Sequence, residues 1–276
     1  MSTVSNFHYG AFTPIAAYLM ACLGAALGLR CTTRSMGRGS GMRRTGWLTL
    51  GAVSIGCGIW SMHFIAMMGF TVDGSLMEYD PALTLLSLLV AIVVVAAGVF
   101  LVGIRGSGRA TLGVAGVFTG LGVAAMHYLG MRSMRGHGGV QYDAVAVVFS
   151  VVIAVVAATA ALWAAVSIRR FWATLGASLV MGVAVTGMHY TGMAGITVDP
   201  ELVMSHGQSS ASLFSFMLAM IAGPVSALVL ASVIVMFDPD TILGDDRAAR
   251  GGTATPLPAT DPTPDYPQHA PAERGY

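Results

Sequence analysis

The chain of 276 residues contains no lysine: its 14 basic residues are all arginine, set against 13 acidic ones for a net charge of +1. That absence excludes a retinal photoreceptor, whose Schiff base requires a lysine. Charged residues make up only 10% of the chain, against roughly 25% in soluble domains. With 55% hydrophobic residues and a mean hydropathy of +0.73, this balance is that of a membrane protein. Nucleic acid is excluded as a partner, because the arginines are spread through short loops and form no patch. Three cysteines, an odd number, argue against a disulfide scaffold. Cys22 and Cys57 fall inside apolar runs and Cys31 lies beside an arginine cluster, where they read as small buried or interfacial thiols. There is no nucleophile with a base partner and no phosphate loop, so no enzyme is expected. No basic residue precedes the first apolar run, which is therefore not read as a signal peptide.

Seven apolar runs each approach the roughly 20 residues needed to cross a bilayer. They lie near Phe12 to Leu29, Trp47 to Phe70, Ala82 to Ile104, Thr111 to Met131, Ala144 to Ile168, Phe171 to Ile196 and Ser212 to Phe237. All should be helices, since lipid leaves no other way to satisfy the backbone. Arg30, Arg34, Arg38, Arg43 and Arg44 separate the first two runs; Arg105 and Arg109 follow the third, and Arg169 and Arg170 the fifth. The alternate loops hold Asp73, Glu78 and Asp80, then Arg132, Arg135 and Asp143, then Asp199 and Glu201. The arginine-rich loops belong in the cytoplasm, which puts the amino terminus outside and the carboxyl terminus inside. The expectation is a multi-pass protein of the cell inner membrane. Residues 1–240 form its seven-helix domain and 241–276 a disordered, proline-rich cytoplasmic tail.

Within these runs one pattern occurs three times. Met62-His63-Phe64 with Met67, Met126-His127-Tyr128 with Met131, and Met188-His189-Tyr190 with Met193 place the histidines 64 and 62 residues apart. The frame is deeper than the motif. Seven residues before each histidine stands a glycine (Gly56, Gly120, Gly182), four before is Ile59, Val123 or Val185, two before is Ser61, Ala125 or Gly187, and three after is Ala66, Gly130 or Gly192. The chain is therefore an internal duplication, in which a helix bearing the motif is followed by one without it, three times over, after one amino-terminal helix. The motif helices run in the same direction, so the three histidines lie at one depth near the outer face.

On a helix, the histidine and the methionine four residues later share a face, while the methionine before the histidine points about 100° away. Imidazole suits several transition metals, and soft thioether sulfur selects copper, particularly Cu(I). The set lacks the carboxylates that magnesium or calcium would need and the thiolates common in structural zinc sites. The glycines read first as helix-packing positions and second as a narrow ligand path along their face; Gly116 adds a GxxxG pair with Gly120. The aromatic after each histidine is a packed wall or a hydrogen-bonding tip beside the site. His8, His137 and His206, with Met77, Met134 and Met204, read as solvated loop residues on the outer side that could alternatively complete a metal site, and His269 needs no role.

These residues resemble the MHYT domain, an integral-membrane sensory module of bacteria named for its Met-His-Tyr-Thr motif. Met188-His189-Tyr190-Thr191 carries the motif in full; Met126-His127-Tyr128-Leu129 departs at the last position and Met62-His63-Phe64-Ile65 at the last two. The resemblance covers about Phe7 to Phe237. It implies copper held by Met62, His63, Met67, Met126, His127, Met131, Met188, His189 and Met193, and detection of a diatomic gas such as O2, CO or NO, or of redox state. Relatives commonly continue into a cyclase, phosphodiesterase or DNA-binding domain; here the expectation is a stand-alone member that signals to a separate cytoplasmic or membrane partner. Two other readings stay open: copper handling, as transport or delivery to a membrane oxidase, and a haem held between two of the histidines.

Overall fold

In the computed structural model all seven expected spans are helices, and the structure describes residues 11–36, 41–69, 78–135, 140–198 and 210–238. They are α1 (Phe12–Met36), α2 (Met42–Met68), α3 (Pro81–Arg105), α4 (Arg109–Arg132), α5 (Ala144–Ser167), α6 (Phe171–Ala194) and α7 (Ser210–Met236). Each is long and apolar enough to cross a membrane. The protein is built as a multi-pass membrane protein. Observed and expected bounds differ most between α1 and α2, where the helices run on past Arg30 and Arg34 and begin before Arg43 and Arg44. Arginine is a good helix former, and its long side chain reaches the interface from inside the bilayer edge, so charge marks the membrane boundary and not the helix end. Arg30 stacks over Phe171 and Arg34 over Trp47, both at 5.1 Å, which ties this end of α1 to the starts of α6 and α2.

At the opposite end, helices start on side-chain caps. Asp80 accepts from the Ala82 and Leu83 N–H groups at 2.8 and 3.1 Å, with Pro81 at the first helical position, and Asp143 accepts from the Ala146 N–H at 2.9 Å. Two small antiparallel sheets join the loops there. β1 (Glu78–Tyr79) pairs with β2 (Met134–Arg135), and β3 (Val140–Tyr142) with β4 (Ile196–Val198). The Asp80 N–H donates to the Ser133 carbonyl at 2.7 Å and the Asp143 N–H to the Gly195 carbonyl at 2.8 Å. Ser133 and Gly195 stand at the same place in their repeats. The end of one motif helix is thus pinned to the start of the outer helix before it in sequence.

Six helices close a ring in which α1, α2, α3, α4, α5 and α6 are successive neighbours and α6 returns to α1; α7 lies outside it, against α2 and α1. In sequence, each motif helix is paired with the helix that follows it. In the ring, α1 occupies the place beside α6 that α7 would take if the third copy repeated the first two. Small residues hold α1 close against α2. A Cβ added at Gly24 would stand 2.7 Å from the Gly58 Cα, and one at Gly58 equally close to the Gly24 Cα, so the α1 and α2 backbones approach to a distance no side chain allows. The helices belong to one compact unit, Met1–Met236. The tail expected at 241–276 lies outside the described residues, as do His8, His137, His206, His269, Met77 and Met204.

Candidate metal centre

The alternate helices α2, α4 and α6 each turn one histidine to the middle of the ring. His63, His127 and His189 are each only 1% exposed. Their Nδ1 atoms converge: His63 to His189 is 3.0 Å, His63 to His127 is 3.1 Å and His127 to His189 is 3.3 Å. The rings meet edge to face, with interplanar angles of 80°, 83° and 90°, like the blades of a three-bladed propeller. Among the described residues they are the one group of three metal-ligating side chains of this kind.

The triangle has the dimensions of a metal site. Three nitrogens held at about 2.0–2.1 Å from one ion with tetrahedral angles stand about 3.3–3.4 Å apart. The observed separations are this value or slightly less. Protons serve the triangle poorly, because each Nδ1 offers either one N–H or one lone pair toward the centre. The best neutral arrangement shares a single N–H between two lone pairs. An ion satisfies all three nitrogens at once.

The outer ring nitrogens are held by packing. The Nε2 atoms of His63 and His127 are buried without a hydrogen-bond partner. They press on glycine: a Cβ built on Gly130 would lie 2.4 Å from His63 Nε2, and one on Gly192 would lie 2.6 Å from His127 Nε2. These two imidazoles therefore fit against the next repeat, at the small residue three places after that repeat's own histidine. A ligating histidine commonly has its orientation fixed by an acceptor on its second nitrogen. Here a main-chain wall does so. Sequence reading registered the small residue as part of the frame and missed this function, because its partner lies on another helix.

The six motif methionines do not form one cluster. Met67, Met131 and Met193, four residues after each histidine, pack together with Ile196, against partly buried Tyr79 and Met134. Met134, expected as a solvated loop residue, thus joins the thioether cluster. Burial raises the Tyr79 phenol above its ordinary range. Met62 packs with Ala17, Ala21 and Ala66, whereas Met126 and Met188 lie in the main core. The structure brings together the three histidines and, separately, the three later methionines; the methionines that precede the histidines do not assemble into one group.

The aromatic positions are explained by α3 and α5. Ser87 and Ser150 occupy the same place, six residues into their helices. Tyr128 Oη bonds Ser150 Oγ at 2.7 Å, and Ser150 donates to the Val147 carbonyl at 2.8 Å. In the first repeat Phe64 has no hydroxyl, and the Trp60 indole N–H donates to Ser87 Oγ at 2.9 Å instead. Trp60 also packs on Phe64 at 4.4 Å between ring centroids. The departure from tyrosine is compensated within its own helix.

The glycines seven residues before each histidine face the outer helices. A Cβ at Gly56 would meet the Ile92 Cα at 2.9 Å, one at Gly120 the Val155 Cα at 2.4 Å, and one at Gly182 the Cys22 Sγ at 2.4 Å. Packing is their role, and the alternative of a ligand path along that face has no space. The third contact is made with α1, in keeping with its place in the ring.

Comparison with known proteins agrees with this repeat. The MHYT family model, described as a bacterial signalling protein N-terminal repeat, matches residues 56–115 and 120–178. The bifunctional diguanylate cyclase/cyclic di-GMP phosphodiesterase MucR of Pseudomonas aeruginosa is 43% identical over 159 residues, 56% of this chain and 23% of that protein. An uncharacterized signaling protein of Caulobacter vibrioides is 35% identical over 194 residues, 69% of this chain and 23% of its own length. The cyclic di-GMP phosphodiesterase NbdA of Pseudomonas aeruginosa is 34% identical over 202 residues, 71% of this chain and 25% of that protein. The chain thus spans about a quarter of the length of these relatives. No solved structure matches.

Proposed function

Because this chain belongs to the MHYT family of bacterial signalling proteins, we propose that it is a membrane sensor that holds copper at His63, His127 and His189 and detects a diatomic gas or a redox change. The observation that carries this reading is the Nδ1 triangle, with separations of 3.0–3.3 Å. Met67, Met131 and Met193 form the adjoining layer, and their soft sulfur favours Cu(I) over harder ions. Copper supplies a redox-active ion with affinity for O2, CO and NO. The chain supplies three oriented nitrogens, a thioether cover and exclusion of water. Met62, Met126 and Met188 act in this reading as packing that fixes the motif helices.

A sensed ligand shifts the protein only by binding one arrangement of the helices better than another. Since His63 is wedged against α4 and His127 against α6, a change at the triad bears directly on how α2, α4 and α6 sit together. The output passes to a signalling partner at the arginine-bearing end. The matched region is a sensory domain, and no catalysis is assigned to it.

The other two readings have less support. Copper transport needs polar groups along the bundle, whereas the space beneath the triad is lined by apolar side chains apart from Thr119. A haem needs its two axial nitrogens about 4 Å apart with the macrocycle between them, and the triad nitrogens are closer than that. Elemental analysis of the purified protein tests the proposal. Wild type should carry copper, and His63→Ala, His127→Ala and His189→Ala should each lose it. A wild type free of copper under both oxidising and reducing conditions, or a triple variant that keeps it, would overturn the reading.

A further inference from the structure

A cavity of about 50 Å³ lies among α2, α3, α4, α5 and α6. The repeat frame locates it. Ile59, Val123 and Val185, four residues before the three histidines, all line it, and so do Ile55, Thr119 and Met181, eight residues before them. Four residues along a helix rise about 6 Å. The cavity therefore begins about one turn beneath the triad, on the side toward the middle of the membrane, and Met188, next to His189, is part of its wall.

We infer that this cavity is a holding site for a small apolar gas molecule that enters from the hydrocarbon of the bilayer and reaches the triad from beneath. The inference rests on the sensor reading above and assigns its ligand a route. The lining decides the occupant. Water needs two to four polar partners in a buried site, and Thr119 is the single polar residue in this wall, with its hydroxyl directed to the Val94 carbonyl at 3.4 Å. The site is therefore dry. One water-sized body needs on the order of 10–15 Å³ of such space, so the cavity admits a diatomic molecule or a xenon atom and is too small for a larger ligand. Apart from Ile59, the lining side chains that keep part of their surface are Ala157, Ala158 and Ala161 on α5 and Met181 and Val185 on α6. Access thus runs between α5 and α6, whose outward faces expose Val152, Val156, Val180 and Val183 to lipid.

Xenon tests the cavity without any metal. In nanodiscs, wild type should show saturable xenon binding by 129Xe NMR beyond that of empty nanodiscs. Ala158→Phe, which fills the cavity, should lose it, and Leu162→Ala, which enlarges it, should bind several-fold more tightly. Wild type indistinguishable from empty nanodiscs, or variants that bind as wild type does, would overturn the site. For the route, CO association with the copper-loaded protein should be at least tenfold slower in Ala158→Phe at equal copper content; an unchanged rate alongside lost xenon binding would overturn it. A chain that binds xenon and carries no copper would refute the sensor reading and leave the cavity standing.

Discussion

Substituting Gly192 by alanine separates the geometry of the triad from the stability of the helix that carries it. The new Cβ would stand 2.6 Å from His127 Nε2, whereas ordinary contact begins at 3.4 Å, so the ring must recede by about 0.8 Å. It has no free direction, because its Nδ1 already lies 3.1 Å from His63 and 3.3 Å from His189. Overpacking of this kind costs about 1–3 kcal/mol, and the better helix propensity of alanine offsets about 1 kcal/mol of that. The net loss of stability is small. Ligand distances in a metal site, by contrast, hold to within about 0.2 Å, and the displacement is about four times larger. Gly187 on the same helix has no neighbour within 4 Å of a Cβ and serves as the control. Copper affinity by competition with a chelator, with thermal unfolding in parallel, should show Gly187→Ala with wild-type copper affinity and a Tm equal to or slightly above that of wild type. Gly192→Ala should bind copper at least tenfold more weakly while its Tm falls by only a few degrees. A Gly192→Ala protein with wild-type copper affinity would refute the wedge between His127 and α6.

Other expectations follow from the same contacts. Ser87→Ala should destabilise by about 1–3 kcal/mol, because it strands the buried Trp60 indole N–H, whereas Tyr128→Phe should cost only about 1 kcal/mol, since Ser150 keeps its bond to the Val147 carbonyl; thermal melts of the two variants give the ranking. Gly120→Ala would set a Cβ 2.4 Å from the Val155 Cα, a backbone atom that cannot swing aside, and should lower stability more than Gly192→Ala does. The native cysteines Cys22, Cys31 and Cys57 are free and buried, so they give little background to a labelling experiment. An impermeant maleimide should therefore label Gln141→Cys on intact cells and Arg170→Cys only after permeabilisation; the reverse would invert the orientation deduced from the arginines.

The spans and the common depth of the histidines were legible in the sequence because each is a local property: an apolar run, a fixed spacing. What lay beyond it depends on which helix comes next to which. The frame showed a glycine seven residues before each histidine, and the structure divides their partners among α3, α5 and α1. Nothing in the duplication indicated that α1 would close the ring, since α1 stands outside the repeat and meets it through Gly24 on Gly58 of α2 and Cys22 on Gly182 of α6. The serine that replaces a tyrosine partner with Trp60 is likewise a pairing across helices. Helical period gives a residue its face but not its neighbour.

Stacking three copies turns positions along one helix into layers across the bundle. Below the histidines come the branched residues Ile59, Val123 and Val185 and then the cavity; above them come Met67, Met131 and Met193, covered by Tyr79 and Met134. The nitrogens are thus enclosed by soft or apolar groups on both sides, with no carboxylate among the residues of either layer. Hard ions that retain water are poorly served there, and an ion that accepts nitrogen and sulfur is well served. Replacing Met67, Met131 and Met193 by leucine should isolate the sulfur contribution, because methionine to leucine conserves volume and usually costs under about 1.5 kcal/mol at each site. The triple variant should keep the fold and its Zn(II) affinity, which the imidazoles alone can support, and lose at least tenfold in Cu(I) affinity. Equal losses for both metals would mean that the thioethers act only as packing, and no loss for either would remove them from the site.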